Sequence, residues 1–154
     1  MKPTVLALLI ILAFTGCSKN DNDGESTRTQ LLISAAWKFQ TAGVDLDNNN
    51  TIDEPIPDMV LEACDLDNTF VFRENGTGFV DNGTLKCDAT EPQTVEFGWS
   101  FTDNQQKITL TQLDFGGLDP SFDVRVINEQ RLLLSQSVDL GLPIPVRVLL
   151  DFRH

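Results

Sequence analysis

The run Asp45-Leu46-Asp47-Asn48-Asn49-Asn50-Thr51-Ile52-Asp53 is the stretch of this chain best equipped for chemistry. Calcium takes about six to eight oxygen ligands. A loop with acids or amides at positions 1, 3 and 5, a backbone carbonyl at 7 and an acid at 9 supplies them. Asp45, Asp47 and Asn49 fill the first three places, Thr51 offers its carbonyl, and Asp53 binds directly or through water. Asn50 stands where glycine is usual, and asparagine also enters the left-handed backbone region that the turn needs. Position 12 is Ile56, so the bidentate glutamate of the helix–loop–helix calcium motif is missing and Glu54 or Glu62 would have to substitute. The expectation is a weak calcium site, with a plain polar loop as the rival reading.

Three cysteines carry the next signals. Residues 5–14 are an unbroken apolar run behind Lys2, and Gly16-Cys17 follows it. A transmembrane helix needs about 20 apolar residues, so this run is too short to span a bilayer and fits a signal peptide of residues 1–16. A small residue directly before a cysteine is what a lipoprotein signal peptidase requires. Cys17 is therefore the expected site of a covalent lipid, and a cysteine carrying two or three acyl chains holds a membrane stably. Cys64 and Cys87 remain. In an oxidising, exported setting an even pair reads as a disulfide.

Other groups are poorer in chemistry. The single histidine, His154, is the last residue, which excludes a His-dependent triad or a zinc site built from several histidines. Asp65, Asp67, Asp81 and Asp88 fall near cysteines and turns. Carboxylate pairs run glycoside hydrolysis, but acids in loops more often form turns. Phe97, Trp99 and Phe101 recur at strand spacing, either as ligand-lining residues of a barrel or as ordinary core, because small barrels are filled by their own side chains. Nothing supplies a nucleophile–base pair, so no enzyme is expected.

Composition bounds the partners. The formal charge is −12. Removing residues 1–16 takes away one cation, Lys2, and no acid, which brings it to −13. Such a chain avoids nucleic acid and attracts cations. Residues 18–28 contain no apolar side chain, so residues 17–28 read as the lipidated cysteine and a disordered acidic tether, with one domain over residues 29–154.

The elements that must position these groups are strands. After one or two helical turns within residues 29–36, apolar and polar residues alternate over 37–41, 69–73, 77–80, 94–102, 107–113, 122–127, 131–137 and 146–152. Glu74-Asn75-Gly76, Asp81-Asn82-Gly83, Asp103-Asn104 and Asn128-Glu129 supply turns between them. Seven or eight strands with turn signals every 8–12 residues or so is the pattern of an antiparallel barrel or sandwich. Pro143 and Pro145 at the start of the last strand suggest an edge or a poorly closed seam.

With these pieces in order, the chain from about Leu31 onward resembles the lipocalin-like domains found as lipoproteins in the Bacteroidota. The resemblance is carried by Ala36-Trp37-Lys38, the Asp/Asn loop at 45–53, Ala63-Cys64-Asp65, Asn68-Thr69-Phe70-Val71-Phe72, Glu74-Asn75-Gly76-Thr77, Lys86-Cys87-Asp88, Gly98-Trp99-Ser100-Phe101 and Arg131-Leu132-Leu133-Leu134-Ser135. Ala35 stands where that family has glycine. The resemblance implies an all-β, up-and-down lipocalin-like β-barrel of about eight strands, or a flattened sandwich, and says little of function. The acid-rich segment after Cys17 resembles that of surface-exported lipoproteins of the same group, so the expected location is the outer membrane, on its periplasmic face or at the cell surface. The expectation is a membrane-anchored, non-enzymatic binding module for a small apolar ligand or a glycan. The alternative is a structural or protein-interaction lipoprotein of an envelope assembly. An open cavity favours the first; a filled core with an exposed apolar patch favours the second.

Overall fold

The computed structural model describes residues 23–56, 62–139 and 145–154. The expected signal peptide, Cys17, the first part of the expected tether and Pro143 lie outside the described residues. The elements are α1 (Asp23–Ile33), β1 (Ala36–Asp45), β2 (Glu54–Pro55), a 3-10 turn (Asp65–Asp67), β3 (Thr69–Phe72), β4 (Thr77–Asp81), β5 (Thr94–Thr102), β6 (Lys107–Thr111), β7 (Ser121–Ile127), β8 (Arg131–Val138) and β9 (Val146–Arg153).

Every strand pair is antiparallel, in the order β2-β1-β3-β4-β5-β6-β7-β8-β9, and β1 also pairs with β9. That last pairing runs from Lys38↔Arg153 to Asp45↔Arg147. It closes eight of the strands into a barrel and rules out the flattened sandwich. It also places β9 inside the ring, contrary to the edge that Pro143 and Pro145 suggested. Pro145 precedes the first ladder residue, Val146, so it removes no donor that the ladder needs. The ninth strand, β2, is a two-residue return of the chain onto β1, pairing Gly43↔Pro55 and Val44↔Glu54. β3 pairs with β1 only over Ala36, Trp37 and Lys38. The far half of β1 therefore faces β2 rather than β3, and the barrel wall is looser there.

The period-two pattern fixes what points inward, because successive strand side chains face opposite sides. Trp37, Phe39, Phe70, Phe72, Phe97 and Ile108 belong to one buried cluster with Leu110, Phe122, Leu132, Leu134 and Phe152. Outward positions are polar, as in Lys38, Gln40, Glu96, Ser100, Lys107 and Asp123. A barrel that faces lipid presents an apolar band instead. Bulges between Phe39 and Thr41 and between Val124 and Val126 keep the inward set in phase as the strands coil.

The two ends of the barrel differ. Tight turns close one end: the β3–β4 turn, the β5–β6 turn with Asp103, Asn104 and Gln105 all at positive φ, and the β7–β8 turn. Here α1 acts as a plug. Leu32 is fully buried, and its carbonyl accepts the Trp37 indole N–H at 2.8 Å. The helix begins at Asp23, inside the segment read as a disordered tether. Its polar face is held by tertiary bonds: Arg28 donates to the Gln105 carbonyl at 2.7 Å, and the Gln105 amide donates to the Thr29 hydroxyl at 3.1 Å. The longer connections, 46–53, 82–93 and 112–120, sit at the other end.

Candidate functional site: the barrel mouth and its loops

The open end holds a cavity of about 590 Å³. Ligand pockets fall in the range of about 300–1,000 Å³. Its inner wall is apolar: Phe39 and Ala42 from β1, Phe70 from β3, Val80 from β4, and Val148 and Leu150 from β9. Leu113, Phe115 and Leu118, from the loop between β6 and β7, fold over one side. Phe115 stacks on Phe70 with ring centroids 6.2 Å apart and meets Phe122 edge-on at 5.5 Å. The rim is polar, with Asp65, Asn68, Asn82, Glu91, Gln112 and Asp114. A side recess of about 200 Å³ shares Asp65, Asn68, Asn82 and Glu91 and reaches Cys64 and Cys87.

The aromatic face, readable from sequence as ligand-lining or as core, lies away from the cavity. Phe97, Trp99 and Phe101 are absent from the cavity wall. Phe97 is 1 % exposed and meets Phe72 edge-on at 5.3 Å. Gly78 makes room for it, since a Cβ there would lie 2.4 Å from the Phe97 ring. The Trp99 indole N–H is shared between the carbonyls of Arg73 and Thr77, both at 3.0 Å. That ties it to the β3–β4 turn at the plugged end, with Phe101 beyond it at 5.6 Å. Phe97 and Trp99 belong to the core and half-buried Phe101 packs against it, because the barrel is filled by its own side chains at that end and hollow at the other. The residues that sequence reasoning missed are in the β6–β7 loop. Their signal is Leu113-Asp114-Phe115-Gly116-Gly117-Leu118, three large apolar residues in a connection where turn residues are ordinarily polar.

The Asp45–Asp53 loop is ordered by its own carboxylates. Asp45 is buried at the end of β1 and accepts the backbone N–H groups of Asn49 at 3.1 Å and Asn50 at 3.0 Å, and the Arg147 guanidinium at 3.3 Å. Burial pushes its pKa up, but the N–H donors of Asn50 and Asn49 together with Arg147 outweigh that and hold it below the usual carboxylate value. Asp47 accepts the Asn49 backbone and side-chain amides, Asn49 accepts Thr51 N–H, and Asp53 accepts Leu46 N–H at 2.7 Å. Asn48 and Asn50 both take positive φ, at 62° and 66°, as the turn demands. One carboxylate oxygen from each of Asp45, Asp47 and Asp53 lies within 4.8 Å of the others. Glu54 and Glu62, the expected substitutes for the missing glutamate, do not belong to that group. The Asn50 Oδ1 is buried without a hydrogen-bond partner. Gly43 lets the hairpin fold back: a Cβ there would stand 2.3 Å from an Ile52 methyl and 2.7 Å from the Glu54 carbonyl oxygen.

Cys64 and Cys87 are joined in the expected disulfide, with Cα atoms 5.3 Å apart. It ties the 3-10 turn to the β4–β5 connection at the mouth. Asp67 reinforces this tie by accepting the N–H groups of Leu85, at 2.9 Å, and Thr84, together with the Thr84 hydroxyl. Those donors, Leu85 and Thr84 first, lower its pKa. Thr90 N–H and hydroxyl lower that of Asp88 in the same way. Asp81 accepts Gly83 N–H and the Gln93 amide, and Asp65 accepts Glu62 N–H. These acids are turn formers engaged with the backbone. His154 lies against Trp37, with ring centroids 3.9 Å apart, at the end away from the mouth.

Compared with known families and curated proteins, the chain matches no family model and no curated protein at a significant score.

Proposed function

We propose that this chain is a lipocalin-like, non-enzymatic binding module that receives a small apolar ligand, or a glycan with an apolar face, in the barrel mouth. The observation that carries this reading is the apolar cavity of about 590 Å³ at one end of a barrel whose other end is filled and plugged. An interaction protein without a ligand has no use for such a hollow, and packed interiors leave few voids larger than a water molecule. Leu46, Leu66 and Leu85 are the large exposed apolar residues among those described; Leu66 and Leu85 stand on connections tied together by the disulfide and Asp67, and Leu46 on the Asp45–Asp53 loop. The non-enzymatic reading is supported by the bonding of Asp65, Asp67 and Asp114, which accept backbone N–H groups, and by the disulfide that occupies Cys64 and Cys87. Native mass spectrometry of the protein purified from its own cells tests the reading directly. A retained small molecule, lost in a cavity-filling Ala42→Phe variant, supports it; a bare polypeptide mass in both contradicts it.

The lipid anchor on Cys17 and an outer-membrane location belong to the same proposal and rest on residues 1–17 of the sequence. Cys17→Ala should move the protein from the membrane to the soluble fraction. Calcium at Asp45, Asp47, Asn49, Thr51 and Asp53 is supported by the converging carboxylates and the left-handed Asn50. Arg147 already neutralises part of that charge, so affinity belongs with the weak class of about 10⁻⁴–10⁻³ M. Millimolar calcium should raise the melting temperature relative to chelator at constant ionic strength, and Asp47→Ala should remove the shift.

A further inference from the structure

The charge at the mouth narrows the ligand class, an inference that rests on the binding-module reading. The inner wall of the cavity is hydrocarbon, whereas the rim carries the carboxylates of Asp65, Glu91 and Asp114 and, among the described residues that line it, no lysine or arginine. Lys86, the cation in the adjoining connection, is not among the cavity's lining residues, and its ammonium is held by the backbone carbonyl of the rim residue Glu91 at 2.9 Å. Arg147 is engaged with Asp45 on the loop. Residues 57–61 and 140–144 contain no lysine, arginine or histidine. An ionised carboxylate only accepts hydrogen bonds. An anionic head at this rim would stand among three like charges, with Lys86 beside Glu91 already engaged by a carbonyl, while an ammonium head would find carboxylate acceptors.

We infer that the cavity takes a single-chain amphiphile with its apolar tail in the barrel and a cationic head at the rim, and that it discriminates against anionic amphiphiles such as fatty acids. The apolar wall supplies affinity and the acidic rim supplies the selection. Selection of this kind is a difference of affinities, here built from repulsion of the wrong head as much as attraction of the right one. The net charge of −12 also draws cations to the whole surface, but that general pull is screened by salt over about 8 Å at physiological ionic strength.

The test is calorimetric titration of the whole mature domain with three probes of equal tail length, dodecyltrimethylammonium, dodecanol and dodecanoate, each below its aggregation concentration and in 0.15 M salt (roughly physiological). The expected order is cation tightest, alcohol intermediate and dodecanoate at least about tenfold weaker than the cation, a difference of about 1.4 kcal/mol. A double variant, Asp65→Asn with Glu91→Gln, should shrink the cation–anion gap severalfold while leaving dodecanol unchanged. Glu129→Gln, on the exposed β7–β8 turn at the plugged end, should leave all three unchanged. Equal or tighter binding of dodecanoate overturns the inference and leaves the binding module standing. A gap that shrinks as much in Glu129→Gln as in the rim variant also overturns it, because the selection then comes from overall charge. Binding of none of the three removes the binding-module reading itself.

Discussion

Asp45 shows how much a single carboxylate does in this protein. It closes β1, orders the following loop through two backbone N–H groups and neutralises Arg147 across the β1–β9 pairing. Its side chain is fully buried and that of Arg147 is 19 % exposed. Asp45→Ala should therefore destabilise by on the order of 3 kcal/mol, because it leaves a largely buried cation unpaired; urea unfolding of the variant checks this. Asp45, Asp67 and Asp88 all have lowered pKa values in the folded state. In the window between the folded value and the unfolded value, about 3.9, the unfolded chain binds more protons. Stability accordingly rises with pH there. The contribution is whole above about pH 5 and is lost as pH falls through the folded values. Urea midpoints measured from pH 7 down to pH 3 should decline in the acid limb, and Asp67→Asn should flatten part of that decline while lowering the neutral plateau.

At the scale of elements, the strands were legible from residue alternation and the loops were not. β5 runs over Thr94–Thr102, as the sequence pattern places it, because Val95, Phe97, Trp99 and Phe101 alternate with polar residues and the Asp103-Asn104 turn ends the run. The β3–β4 hairpin follows equally from Asn75-Gly76, and the disulfide follows from that hairpin, whose far ends bring residues 64 and 87 together. α1 was less legible, since its first turns carry no apolar face and are held by Gln105, about 76 residues away in sequence. β2 and the barrel's closure were also hidden, because pairing of β1 with both β9 and β2 is long-range and leaves no local signature. The Asp45–Asp53 loop could be read as a turn with left-handed asparagines, yet Arg147 inside it could not, being brought there by the last strand. The disulfide, with a sequence separation of 23, should stabilise by about 3 kcal/mol through the unfolded chain. A Cys64→Ser/Cys87→Ser double variant should show that loss in chemical denaturation, and unchanged stability would show that the mouth loops are held by Asp67 and the strands alone.

Across the whole molecule, one end of the barrel is solid and the other is hollow. Short turns, the α1 plug and the cluster around Phe72, Phe97 and Trp99 make the solid end. The partial β1–β3 pairing, the long connections and the apolar β6–β7 loop make the hollow one. Stability and binding should consequently separate in mutants. Phe97→Ala removes a ring from the solid end and should cost about 3–5 kcal/mol without changing affinity in the fraction that stays folded. Ala42→Phe places a ring in the hollow and should block the ligand at a smaller cost in stability. The most direct test is a fluorescence titration with the uncharged apolar dye N-phenyl-1-naphthylamine, run side by side on the wild type, Ala42→Phe and Phe97→Ala. The account predicts saturable one-to-one binding to the wild type and to folded Phe97→Ala, and loss of it in Ala42→Phe. Saturable binding that survives Ala42→Phe, or its absence from the wild type, would contradict a ligand site in the barrel mouth.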